Sequence, residues 1–261
     1  MPDPAWRIHT SRLGWLIAVA LLLAAVIYGL KIFHVIVPEP PFDPNLTGVD
    51  VILAGFEHAQ EHWLEDLSSS LMFAIGFAGI AVLGLVLRHA MNRDDARSGI
   101  MTVAFVVAGT LGIAAQLIYL GAIEAATNPD YCDCGFLAEE LVSREMIRFV
   151  VEGIVFWLTG GVVVLFAIGL LAFAGVASAA GWVPAGLAVF ARVVAVLGLI
   201  SVAWDHVAVP LLIEAGTELD FFRLSQVITI VFAGILVPLW AAWLARAAGA
   251  KDDVEPEAQA A

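Results

Sequence analysis

Six apolar runs, each of about 18 residues or more, constrain this chain more than any other feature. About 20 apolar residues coiled as an α-helix cross a hydrocarbon core of about 30 Å. Lipid offers the backbone no hydrogen-bond partner, so each run must satisfy its own N–H and C=O groups as a helix. A soluble fold would have to bury several helices with almost no polar face. Charged residues make up 14% of the chain, against roughly 25% in soluble domains, which is too few for that. The expected fold is all-α: a polytopic membrane protein, a bundle of six transmembrane helices with a short extracytoplasmic interfacial helix. The spans fall at about 13–36, 67–88, 100–123, 149–174, 184–207 and 225–246. Residues 1–250 read as one transmembrane domain and 251–261 as a disordered cytoplasmic tail.

Loop arginines orient the bundle. Arg7 and Arg12 precede the first span, Arg88, Arg93 and Arg97 separate the second from the third, and Arg246 and Lys251 follow the sixth. All lie on one side of a six-span chain, and that side is cytoplasmic by the positive-inside rule. Both termini are therefore expected in the cytoplasm of a plasma-membrane protein. The opposite loops carry Arg144, Arg148 and Arg223, outnumbered by acids. The formal charge of −13 sits largely there and in the tail, and an acidic face excludes nucleic-acid binding by counterion release. The first run is longer than a signal h-region and lacks a small-x-small cleavage site, so it reads as an uncleaved helix.

The first outer segment opens on prolines, which impose an extended exit from the membrane. Its Asn45-Leu46-Thr47 sequon is read as a chance match. A helix resumes near Val49, and Trp63 and Leu64 anchor it at the interface. Glycines in the second, fourth and fifth spans mark close helix packing. No internal repeat emerges, so an inverted-repeat transporter finds no support.

The cytoplasmic turn Gly181-Trp182-Val183-Pro184, followed by Leu197-Gly198-Leu199-Ile200 and Trp204-Asp205, resembles a bacterial domain-of-unknown-function family of six-helix integral membrane proteins. There, too, a Gly-x-x-Pro turn opens the fifth helix and an Asp often closes it. The resemblance implies a six-helix bundle and no particular activity. Arg192 and the Cys132-Asp133-Cys134 pair depart from the family pattern.

His58-Ala59-Gln60-Glu61-His62 fits His-x-x-Glu-His, an inverted zinc-protease signature. On a helix, His58 and His62 lie one turn apart, the spacing at which two imidazoles share a divalent metal ion. Glu61 would then polarise a bound water as general base, and a third ligand would have to come from elsewhere. The plainer reading makes these ordinary residues of a solvated interfacial helix. Glu124, Glu152, Asp205 and His206 lie at the outer ends of their spans. Carboxylates inside spans usually face a bundle interior or a watery cavity. Converging with His58 and His62, they would line an outward-facing pocket; separately, each snorkels to water. Arg148 stands four residues before Glu152 and would pair with it. Arg192, about eight residues into the fifth span, either snorkels or binds an anionic lipid headgroup. Gln116 reads as interhelical glue. Cys132 and Cys134 would form a strained disulfide, take a soft metal such as Cu(I), link to a partner or stay unpaired.

Three functions follow for a protein whose first partner is the lipid bilayer. The outward pocket takes a small molecule, lipid or cation. Alternatively, His58 and His62 hold the metal of a membrane enzyme. Alternatively, small-residue faces pack against a membrane-protein partner or a second copy, making the chain an accessory subunit.

Overall fold

Each apolar run is a helix in the computed structural model of the protein, which describes residues 4–38, 48–127, 138–214 and 221–250. The helices are α1 (Pro4–Ile32), α2 (Val49–Glu61), α3 (Trp63–Ala90), α4 (Ala96–Thr127), α5 (Ala138–Ala177), α6 (Ala185–Ala203), α7 (Val209–Glu214), α8 (Phe221–Val231) and α9 (Val237–Gly249). The fifth span continues from α6 through a π-helical turn, Trp204–Ala208, into α7. The sixth joins α8 to α9 through a second π-helical turn, Phe232–Leu236. Six apolar segments are long enough to cross a membrane: Ala5–Ile32, Trp63–Ala90, Ala96–Ala125, Val142–Ala177, Ala185–Leu212 and Leu224–Gly249.

Each span packs on the next, and α9 closes back onto α1, so the six form a ring. Phe105 of α4, Phe166 and Phe173 of α5 and Trp240 of α9 fill its interior. The Trp240 ring lies 5.9, 5.8 and 5.5 Å from those of Phe105, Phe166 and Phe173, and Trp240 is 0% exposed. Large apolar residues such as Trp15, Leu22, Val103 and Val193 point outward, which lipid rather than water accommodates. Gly109 shows how close the helices come. A Cβ there would stand 2.4 Å from the Phe77 carbonyl oxygen of α3, so only glycine permits that approach.

α1 ends at Ile32, short of the expected position 36, in a Schellman motif. Val35 N–H reaches Leu30 C=O at 2.8 Å and His34 N–H reaches Lys31 C=O at 3.0 Å. His34 takes the left-handed conformation, φ 55°. Gly181, φ 75°, turns the chain before Pro184 caps α6. Trp182 of that turn donates from Nε1 to Ala90 C=O at 3.2 Å and stacks under Arg7, 5.7 Å away. The prediction for the Cys132–Cys134 pair, the Asn45 sequon and the tail 251–261 lie outside the described residues.

Candidate functional site

α2 is amphipathic. Val49, Ile52, Leu53 and Phe56 recur at helical spacing and pack together, with Phe56 buried. Glu57, Gln60 and Glu61 are exposed, and His58 is half-buried between the two faces. The helix breaks at His62, where φ is −108° and ψ 22°, and α3 starts at the next residue. The His58 and His62 rings meet edge to face with centroids 4.8 Å apart. One ligand atom each from His58, Glu61 and His62 all lie within 4.8 Å of one another. Donors bonded to a tetrahedral zinc ion sit about 3.4 Å apart, given metal–ligand bonds of about 2.0–2.1 Å. Small side-chain rotations would bring these three to that spacing and leave a fourth position open. Glu65 places a carboxylate oxygen 3.7 Å from His62 Nδ1, where it can orient the ring.

His58 holds its pKa below the ordinary imidazole value. Burial is the largest cause, followed by the neighbouring His62, with Lys31 and His34 adding to it and Glu61 opposing. A neutral imidazole is the form that binds metal.

One helical turn beyond His62, Asp66 is buried, 5% exposed. It accepts a hydrogen bond from Lys31 Nζ, an ion pair that ties α3 to α1. Neither Lys31 nor Asp66 was singled out from the sequence. Lys31 interrupts the first apolar run, and Asp66 falls one residue before the expected second span. The available signal was the spacing, since Asp66 follows His62 by four.

Glu152 pairs with Arg148 at 2.9 Å, and Arg148 also donates twice to Glu145, at 2.8 and 2.5 Å. Glu124 is exposed. Asp205 and His206 belong to a different constellation, in the π-helical turn of the fifth span. The His206 ring stacks on Phe156 at 4.1 Å and meets Trp157 edge-on at 4.7 Å. Gly160 makes room for it, because a Cβ there would stand 2.6 Å from His206 Nε2. Arg192 is exposed on α6 beside the outward-facing Val189, Val193 and Val196.

Two surface grooves lie elsewhere. One of about 480 Å³ is apolar and runs over Leu111, Val150, Gly153, Ile154 and Trp157. The other, about 430 Å³, is lined by Arg93, Asp95, Arg97 and Gly175. Comparison of the chain with protein-family models, curated proteins and solved structures finds no match in any of the three.

Proposed function

We propose that this integral membrane protein binds a divalent transition-metal ion through His58, Glu61 and His62, on the extracytoplasmic face of a plasma membrane. The observation that carries the reading is the mutual approach of three ligand atoms to within 4.8 Å on one short, half-exposed stretch. Two imidazoles and a carboxylate suit zinc and its neighbours. The His58 environment favours the neutral ring such an ion requires. The placement outside rests on the loop arginines. The likeness to the six-helix family adds the same architecture and no activity. Arg192 has a separate role in this reading: exposed among valines, it reaches toward the headgroups of anionic lipids. The test is metal content of protein purified without chelator. Wild type is expected to retain about one zinc, iron or copper ion per chain, and His58→Ala/His62→Ala to lose it. Equal metal content in both would overturn the reading.

A further inference from the structure

Residues 88–97, from the end of α3 into α4, carry three arginines and two aspartates. Both aspartates are engaged. Asp94 pairs with Arg88. Asp95 caps α4, its Oδ1 accepting the Ser98 N–H at 2.8 Å. Arg93 and Arg97 are left exposed, and among the described residues no carboxylate pairs with either. The backbone that presents Arg93 is fixed, because the buried Ser98 donates from Oγ to the Arg93 carbonyl at 2.9 Å.

Both arginines line the groove of about 430 Å³, whose opposite wall is Gly175, Val176 and Ala179 at the end of α5. A Cβ at Gly175 would stand 3.5 Å from Arg97 Cδ and 3.6 Å from Arg97 Nη1, so the guanidinium lies against the glycine at that wall. The groove sits at a membrane boundary, where Ala96 opens one span and Ala177 closes the next. Two lipid-facing stripes leave it at helical spacing. Ile100, Val103 and Val107 continue from Ala96 on α4, and Leu171 and Ile168 from Gly175 on α5, all of them exposed. The seam is thus cationic at the boundary and apolar within the span.

We propose that this groove binds an anionic phospholipid of the adjoining leaflet, its phosphate on Arg93 and Arg97 and its acyl chains along Ile100, Val103, Leu171 and Ile168. The planar fork of arginine matches phosphate oxygens two at a time. Basic pockets between spans on the arginine-rich side recognise such headgroups. Asp95 also lines the groove, but its carboxylate is held on the α4 cap. A zwitterionic headgroup brings a cation of its own, which the two unpaired arginines repel, and a free anion lacks the chains. The site shares no residue with the His58 cluster or with Arg192 and stands independently of the metal reading.

The test uses full-length protein in a neutral detergent, unfolded by heat and followed by tryptophan fluorescence. Phosphatidylglycerol, phosphatidylcholine with the same chains, and inorganic phosphate are added in turn. Phosphatidylglycerol is expected to raise Tm saturably and the other two to leave it unchanged. Arg93→Gln/Arg97→Gln should fold, since both side chains are exposed and unpaired. It should raise the half-saturating lipid concentration about 30-fold, which is about 1 kcal/mol for each arginine. Ala179→Trp, at an exposed position on the opposite wall, keeps both charges, fills the groove and should also weaken binding. Arg246→Gln removes an arginine of the same side outside the groove and should keep the full response. The proposal is overturned by equal Tm in the two lipids, by an equal rise with inorganic phosphate, by an undiminished response in either groove variant, or by an equal loss in Arg246→Gln.

Discussion

Lys31 of α1 and Asp66 of α3 form an ion pair at the end of the bundle that carries the His58 cluster, with Asp66 buried and Lys31 partly open. Removing one partner strands the other's charge, whereas replacing both with apolar groups does not. Asp66→Leu or Lys31→Met alone is expected to cost about 2–4 kcal/mol, the lower end reflecting Lys31's exposure. The double variant should recover most of that loss. A double-mutant cycle on thermal unfolding in detergent decides it, and additive losses would refute the coupling.

His58 gives a pH dependence with a definite sign. Its folded pKa is lowered, so the folded state binds fewer protons than the unfolded chain between that value and about 6.5. Metal-free protein should therefore lose stability as pH falls through that window. The loss should flatten in His58→Gln. Metal binding should persist to a lower pH than an ordinary imidazole would allow. Cobalt absorption titrated against pH, alongside Tm, checks both.

Gly160→Ala is expected to destabilise by about 1–3 kcal/mol, the usual cost of overpacking, because the new methyl would meet the His206 ring. His206→Ala in the same chain should relieve the clash. If Gly160→Ala is as costly in the His206→Ala background, the stacking geometry is wrong.

Gly109 and Gly55 make a paired contrast. At Gly109 the obstacle is the Phe77 carbonyl, a backbone atom that cannot swing aside. Gly109→Ala should lower stability by about 2 kcal/mol or more. Gly55, inside α2, has nothing within 4 Å of its would-be Cβ. Gly55→Ala should therefore stabilise α2 by about 0.5–1 kcal/mol. Helicity by circular dichroism and Tm distinguish them.

The spans were legible because apolar length alone dictates them, and the Arg148–Glu152 pair because helical spacing does. The one-turn spacing of His58 and His62 was legible for the same reason, whereas Glu61, legible only as a general base, approaches both imidazoles as a third ligand atom. Lys31–Asp66 was not, since a pairing between residues 35 apart depends on which spans become neighbours, and hydropathy carries no such information. The α1 end was missed because His34 does the work usually given to glycine. Both π-helical turns were hidden too. The prolines that follow them, Pro210 and Pro238, were visible, but how a helix accommodates a missing donor depends on its neighbours: Gly198 and Ala25 press on Phe232 and Gly234.

The closure of α9 onto α1 has a consequence for biosynthesis. Gly14 of α1 lies against Ala241 and Ala245, and Arg7 donates to the carbonyl of Ala250 at 2.8 Å. α1 leaves the ribosome before α9 and is completed by it. At about 5–20 residues per second, more than 200 residues of synthesis separate the two, roughly 10–40 s. Through that interval one flank of α1 must be held by lipid or by the insertion machinery, which leaves that flank of α1 exposed until α9 arrives.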